Sequence, residues 1–203
     1  MFTMHNPEVI KLNFTVDPAE LVDYYTTVKT QYSHLNWTWD NNSIHLDDVA
    51  AGECVEKSQT LMHGWMMQSN MADPTMPPSM LKTKHPTVDW YATELMFGVV
   101  KRLHERIPFA FRWTLFVLPP EGQVVSHVDP NQYVIIIPIQ WEPEALFILG
   151  GVPYTFPADG SAWGLDVELP HTTINNSNKD RVNLIARIPK DCIQNLLAVT
   201  GTI

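Results

Sequence analysis

The segment YVIIIPIQW, residues 133–141, decides the fold of this chain. Its residues are almost all apolar and several are β-branched, which is typical of a buried strand. The segment is far shorter than the roughly 20 residues that a membrane span needs. Immediately before it, SHVD at 126–129 places a histidine and an aspartate two positions apart. Two titratable side chains, His127 and Asp129, therefore lie just before a strand that is predicted to be buried.

Short segments of β-type sequence surround this strand on both sides. Turn signals separate them, among them Pro119-Pro120-Glu121-Gly122 and Gly150-Gly151. Eight such strands at close spacing, following helices, predict a jelly roll or barrel with one sheet braced by the helices. The eight predicted strands are 111–118, 124–129, 133–141, 145–150, 152–156, 161–169, 171–176 and 181–188.

The N-terminal part predicts one strand and two helices. Residues 9–16 alternate in part between apolar and polar side chains and predict a strand. Asp17-Pro18-Ala19-Glu20 is a capping-box arrangement, which predicts a helix over 18–33. A second, longer helix is predicted over 87–107, ended by Pro108.

The length of 203 residues suits one domain with a sizeable core. We expect residues 1–110 to supply a strand, helices and an irregular insert that pack on the core. The core itself is predicted over 111–188. Residues 189–203 are expected to form a C-terminal tail that begins with a short helix.

The insert, predicted over 34–86, contains short strands and a stretch rich in methionine and proline. Six of the nine methionines lie between positions 62 and 80, and three prolines lie at 74, 77 and 78. Methionine repacks easily, so the stretch suits an adaptable lid over a pocket as well as ordinary packing. Thioether ligands suit mainly copper(I), and no cysteine accompanies these methionines. The sequence leaves the lid and the packing interpretation open.

Charge and cysteine content narrow the class of protein. The net charge of −9, without a cluster of lysine and arginine, disfavours a nucleic acid as the main partner. The first residues lack a basic region followed by an apolar one, so we expect a soluble cytoplasmic protein with no membrane partner. Cys54 and Cys192 are far apart, which predicts free thiols and no paired-cysteine metal site.

His127 and Asp129 lie on one face if their segment is extended, and such a pair can hold a divalent metal. The same pattern occurs at His45 and Asp47, but there no arginine stands ten residues after a later histidine. For His127 and Asp129, His171 follows, and Arg181 stands ten residues beyond it. Two histidines and one carboxylate leave three metal positions open, as in non-haem Fe(II) oxygenases. The guanidinium of an arginine can bind a carboxylate group of a ligand through two parallel hydrogen bonds.

The span of about 111–188 resembles the double-stranded β-helix (jelly-roll, cupin-like) core of Fe(II)- and 2-oxoglutarate-dependent dioxygenases. HVD and the later histidine match their HxD…H motif. The stretch HTTINNSNKDRVNLIARI is similar to the end of the aspartyl/asparaginyl β-hydroxylase-like group. This resemblance implies that His127, Asp129 and His171 bind Fe(II), with 2-oxoglutarate and O2 as cosubstrates. It also implies that Arg181 pairs with the 5-carboxylate of 2-oxoglutarate, assisted by Asn183.

Four further residues are candidates for the pocket. Tyr133, Trp163 and Arg187 are predicted to line it, and Arg187 or Arg112 can anchor a carboxylate of the substrate. The predicted activity is hydroxylation of an amino acid, a peptide or a small metabolite. The sequence also allows a cupin-type metal-binding barrel without oxygenase activity, or a metal-dependent isomerase on the same fold.

Overall fold

The computed structural model describes residues 8–39, 62–67 and 93–203. The predictions for His45, Asp47, Cys54 and residues 71–80 therefore lie outside the described residues. The strands are β1 (Val9–Thr15), β2 (Trp37–Trp39), β3 (Met62–Met67), β4 (Phe111–Leu118), β5 (Gln123–His127), β6 (Gln132–Gln140), β7 (Ala145–Leu149), β8 (Val152–Tyr154), β9 (Ser161–Asp166), β10 (His171–Asn175), β11 (Arg181–Pro189) and β12 (Gly201–Thr202). The helices are α1 (Pro18–Gln31), α2 (Gly98–Arg106) and α3 (Ile193–Leu197), with single 3-10 turns at Ser33–Leu35, Thr93–Leu95 and Lys190–Cys192.

The strands form two sheets. The larger sheet has the order β12-β1-β9-β6-β11-β4-β3-β2, and the smaller has the order β5-β10-β7-β8. From β4 to β11, the chain places β4, β6, β9 and β11 in the larger sheet and β5, β7, β8 and β10 in the smaller one. Neighbouring strands among these eight are antiparallel. This is a double-stranded β-helix with flanking helices, so the predicted fold class is confirmed.

Strand β6 is central because it pairs with β9 on one side and β11 on the other. Its side chains alternate between two apolar cores. Ile135 and Ile137 join the larger core, which includes the buried faces of α1 and α2. Val134 and Ile136 join the smaller core, which draws on both sheets. The run YVIIIPI is apolar throughout because both faces of this strand are buried.

Strand β11 has a different pattern. Val182, Leu184, Ala186 and Ile188 join the larger core. The alternate positions 181, 183 and 187 are polar, and their side chains therefore project toward the smaller sheet. Arg181 and Asn183 are buried there, 2% and 1% exposed. Polar groups thus stand on the wall that faces the space between the sheets.

Both helix predictions need correction at their ends. Helix α1 ends at Gln31, and Glu20 does not complete the capping box but binds Arg102 of α2. Asp17 does cap the helix, accepting the Ala19 N–H at 2.9 Å. Within the described residues, the helix predicted over 87–107 begins only at Gly98.

The start of α2 is set by aromatic packing. Phe97 is extended and its ring contacts Tyr24, with 5.0 Å between centroids. The Tyr24 hydroxyl donates to the Leu95 carbonyl at 2.9 Å. Gly98 then takes a φ of +55°, which glycine allows without strain. These contacts override the helical periodicity of Leu95, Val99 and Leu103.

The C-terminal tail returns to the larger sheet. A 3-10 turn and α3 follow β11, in agreement with the short helix that the sequence predicts. Strand β12 then pairs in parallel with β1, which the sequence did not predict. Across the described residues, no helix combines the length and the apolar character that crossing a bilayer requires.

Candidate metal centre

The two histidines of the predicted triad face each other across paired strands. His127 is the last residue of β5 and His171 is the first of β10, and the two are partners in the antiparallel register. Their ring centroids are 4.2 Å apart. Asp129 lies two residues beyond β5, and its N–H donates to the Val167 carbonyl at 2.8 Å. One ligand atom from each of the three residues lies within 4.8 Å of the other two.

Backbone carbonyls orient both imidazoles in the same way. The Nδ1–H of His127 donates to the Val125 carbonyl at 2.7 Å, and the Nδ1–H of His171 donates to the Leu169 carbonyl at 3.0 Å. In each case the acceptor lies two residues earlier in the chain. These hydrogen bonds assign the proton to Nδ1 and leave the lone pair of Nε2 for a metal.

The electrostatics favour the protonation state that a metal needs. Burial, followed by the nearby His127, lowers the pKa of His171 to about 4, so its imidazole is neutral at neutral pH. Burial opposes ionisation of Asp129, but Arg187 and the two histidines outweigh it and hold the pKa of this carboxyl below its usual range. Neutral imidazoles and an ionised carboxylate are the forms that bind metal.

The donor set fits a divalent transition metal. Among the described residues, His127, Asp129 and His171 are the group of potential ligands that comes close enough together to hold an ion. Two nitrogens and one oxygen suit Fe(II), with positions left open for other ligands. His127 is exposed and His171 is buried, with its ring stacked at 5.7 Å on Phe147 of the smaller core. The site thus has one side toward solvent and one toward the space between the sheets.

Arg181 forms the second part of the site. Its guanidinium lies over the Trp141 ring, 3.7 Å from the centroid, and its Nη1 donates to the Thr173 hydroxyl. No carboxylate in the described part of the chain forms an ion pair with it. Burial lowers the pKa of Arg181 to about 9, so the group remains charged at neutral pH. A buried cation without a counter-charge is a candidate binding group for an anion.

The distance from Arg181 to the triad follows from strand geometry. Thr173 and His171 lie two residues apart on the same face of β10, and both are buried. Two residues of a strand span about 6.6 Å. The guanidinium therefore contacts β10 at Thr173, which is the next inward-facing residue after the candidate ligand His171.

Asn183 lies beside Arg181 on the inner face of β11 and is 1% exposed. In the amide orientation that satisfies both of its polar atoms, its oxygen accepts from Arg181 Nε at 3.2 Å and its nitrogen donates to the Val182 carbonyl at 3.3 Å. Together, Thr173 and Asn183 fix the plane of the guanidinium through neutral groups.

The remaining candidates lie in different places. Trp163 packs in the smaller core, with 5.1 Å between its ring and that of Phe156. Tyr133 lies in the larger core on the opposite face of β6, so the structure does not bring it to the triad. Arg112 lies where the register of β4 against β11 shifts, with a φ of +55°. Arg187 forms an ion pair with Asp129.

Sequence reasoning missed Trp141 and Thr173. Thr173 carries a detectable signal, because it stands two residues after His171 on a predicted strand and therefore shares its face. Trp141 stands at the end of the predicted central strand without any local signal that it stacks on a distant arginine.

Comparisons with known proteins give likenesses of fold. No protein-family model matches the sequence, and no curated protein matches it. An oxidoreductase of the 2OG-Fe(II) oxygenase family from Burkholderia pseudomallei is 12% identical, with a TM-score of 0.45 over 89% of this chain and 96% of that one. A predicted oxalate decarboxylase from Thermotoga maritima is 22% identical, with a TM-score of 0.35 over 44% and 72%. A cupin domain from Bordetella pertussis is 23% identical, with a TM-score of 0.33 over 38% and 79%.

Identities and TM-scores this low assign no activity. The topology of the two sheets and the grouping of the three side chains define a double-stranded β-helix protein with a candidate His-Asp-His metal centre.

Proposed function

We propose that this protein is a non-haem Fe(II)- and 2-oxoglutarate-dependent hydroxylase of the aspartyl/asparaginyl β-hydroxylase-like group. His127, Asp129 and His171 hold Fe(II), and Arg181 with Asn183 binds the 5-carboxylate of 2-oxoglutarate. When bound, the iron supplies the O2 chemistry that couples decarboxylation of 2-oxoglutarate to succinate with hydroxylation of a second substrate. The side chains of this protein bind and orient the reactants and limit the access of water.

The observation that carries this proposal is the buried guanidinium of Arg181. Removing such a charge from water costs several kcal/mol unless a partner compensates it. Its contacts here are the Trp141 ring, the Thr173 hydroxyl and the Asn183 amide, which are all neutral. An anionic ligand supplies the missing charge. The separation of about 6.6 Å along β10 between the levels of Thr173 and His171 suits an extended dicarboxylate that also reaches the metal.

Arg181 also separates this proposal from its competitors. A cupin-type barrel that only binds a metal has no need of a fixed, buried guanidinium at this distance from its ligands. The same holds for an isomerase that binds its substrate through the metal alone. Both alternatives account for the triad and leave Arg181 without a purpose.

We propose an amino acid, a peptide or a small metabolite as the hydroxylated substrate, and the cytoplasm as its location. Within the methionine- and proline-rich stretch, Met62–Met67 form β3 and Met67 packs in the larger core, so the lid interpretation applies only to residues 71–80, which lie outside the described residues. Deletion of residues 71–80 should then raise the turnover of 2-oxoglutarate that is not coupled to hydroxylation. Unchanged coupling in the deletion variant would contradict the lid.

The test of the oxygenase is anaerobic addition of Fe(II) and 2-oxoglutarate, followed by O2. We expect a metal-to-ligand charge-transfer band before O2, and succinate after it, with a panel of amino acids and peptides as substrates. His127→Ala should give neither. Arg102→Met, which removes an exposed arginine of α2, should behave as wild type. The proposal is refuted if wild type gives no band and no succinate and matches His127→Ala.

A further inference from the structure

Arg187 is the one predicted substrate anchor that the structure places against a candidate metal ligand. Its Nη2 lies 3.1 Å from Oδ2 of Asp129. The two side chains are 23% and 18% exposed, so the pair is much less screened than an ion pair on the surface. An ionised carboxylate that accepts an arginine N–H is held more firmly than one with a neutral donor.

The backbone around this pair also restricts Asp129. The aspartate lies past the end of β5, and its N–H donates to the carbonyl of Val167, the residue that follows β9. Arg187 lies on β11, in the middle of the larger sheet, opposite Val134 of β6. Asp129 is therefore fixed at its backbone by the turn after β9 and at its side chain by β11.

We propose that Arg187 is a positioning residue: it occupies Oδ2 of Asp129 and leaves the other oxygen to bind the metal beside His127 and His171. This inference rests on the metal-binding part of the proposed function. A carboxylate that binds through one oxygen uses one coordination position, whereas a carboxylate that binds through two uses two. Arg187 thereby keeps three positions of an octahedral metal open for the reactants.

A positioning residue and a substrate anchor differ in a measurable way. An anchor acts only when substrate is present and leaves the affinity of the protein for metal unchanged. A residue that orients a ligand changes metal affinity in the absence of any substrate, typically about 10- to 100-fold.

The experiment is an anaerobic titration of the metal-free protein with Co(II), without 2-oxoglutarate or substrate, followed by calorimetry and by the visible absorption of bound Co(II). Arg187→Met removes the charge and the N–H groups, and we expect about 10- to 100-fold weaker binding and an altered Co(II) spectrum. Arg187→Gln retains an N–H donor and should recover part of the affinity. Arg102→Met removes an arginine that pairs with Glu20 on the helices and should match wild type.

Each outcome decides the inference. Metal affinity of Arg187→Met within about twofold of wild type, with an unchanged spectrum, would overturn it, because outer partners of ligands act more strongly than that. Tighter binding would also overturn it, since Arg187 would then compete with the metal for Asp129. If Arg187→Met does not fold, Arg187→Gln decides by the same criteria.

Failure of the proposed function is distinguishable from failure of this inference. Wild-type protein that binds no Co(II) refutes the metal centre and the inference together. Wild-type protein that binds Co(II) but forms no succinate refutes the proposed oxygenase activity. The Co(II) titration of the Arg187 variants then still tests whether Arg187 positions Asp129.

Discussion

Replacing Arg181 by methionine tests whether the buried guanidinium is retained for binding at the expense of stability. Burial lowers the pKa of Arg181 from its ordinary value to about 9. At about 1.4 kcal/mol for each pH unit, this corresponds to about 5 kcal/mol against the charged side chain. Three contacts oppose this penalty: stacking on Trp141, worth about 2 kcal/mol when desolvated, and the hydrogen bonds to Thr173 and Asn183, worth about 1.5 kcal/mol each.

The penalty and the three contacts nearly cancel, which predicts a variant about as stable as wild type. Methionine is apolar and similar in length, so it removes the penalty and all three contacts while filling most of the space. We expect the free energy of unfolding of the metal-free protein to change by less than about 1 kcal/mol, since replacing a buried charge by a packed apolar group is often neutral or stabilising. Arg106→Met, on the exposed end of α2, is the control and should change stability by less than about 0.5 kcal/mol.

The pH dependence of this difference has a defined sign. The folded protein binds the Arg181 proton less tightly than the unfolded chain, because burial lowers its pKa in the fold. Above about pH 9, and up to the ordinary pKa of arginine, the unfolded state therefore carries more protons at this residue, and the contribution of Arg181 to stability rises with pH. The difference in stability between Arg181→Met and wild type should be constant below about pH 8 and move in favour of wild type at about pH 10.5.

The assay is urea unfolding with and without 2-oxoglutarate, in the presence of Mn(II) in place of iron. At a concentration 100 times its dissociation constant, 2-oxoglutarate should stabilise wild type by about 2.7 kcal/mol and Arg181→Met not at all. Equal stabilisation of both proteins by 2-oxoglutarate would refute the assignment of Arg181. If the free energy of unfolding of metal-free Arg181→Met is more than about 2 kcal/mol below that of wild type, the buried charge of Arg181 stabilises the fold and this reasoning is wrong.

Three further changes test the site and the fold. Trp141→Leu removes the ring beneath Arg181 and should raise the dissociation constant of 2-oxoglutarate about 3- to 30-fold by calorimetry, with metal affinity unchanged. His171→Ala removes a metal ligand and should abolish stoichiometric Co(II) binding in an equilibrium titration while the far-UV circular dichroism is retained. Gly160→Ala should lower the free energy of unfolding by about 2–4 kcal/mol, measured in urea. The reason is that φ is +84° at this residue and that a Cβ would lie 2.0 Å from the Val16 carbonyl oxygen. A loss of less than about 1 kcal/mol would contradict this steric clash.

The sequence predicts the parts of the molecule whose causes are local. The central strand is evident at 133–141 because burial on both faces requires an apolar residue at every position. The boundaries of β4 at 111–118 agree in full, since turn residues follow it directly. His127, Asp129, His171 and Arg181 can be selected from the sequence because strand alternation and fixed spacing set them apart from the similar pair at His45.

Features that depend on distant partners could not be predicted in this way. The helix expected over 87–107 has a correct apolar period, yet the packing of Phe97 on Tyr24 of α1 and on Tyr32, which follows α1, delays its start. Tyr133 is the first residue of the apolar run and is predicted in the pocket, but alternation along β6 turns its side chain to the larger core. The pairing of Arg187 with Asp129 joins residues 58 positions apart, one on β11 and the other just beyond β5, and no local sequence pattern indicates it.

The two arginines on the inner face of β11 offer an account of how an acidic protein can bind the anionic cosubstrate that we propose. The chain carries a net charge of −9, so its average field repels anions. Locally, Arg187 cancels the charge of Asp129, the imidazole of His171 is neutral, and Arg181 has no opposing carboxylate among the described residues. A divalent metal then adds two positive charges to a space that already holds one. A dicarboxylate that reaches both the metal and Arg181 neutralises most of this charge. Without Arg187, the carboxylate of Asp129 would cancel part of the charge of the metal, and the site would attract the proposed dicarboxylate less strongly.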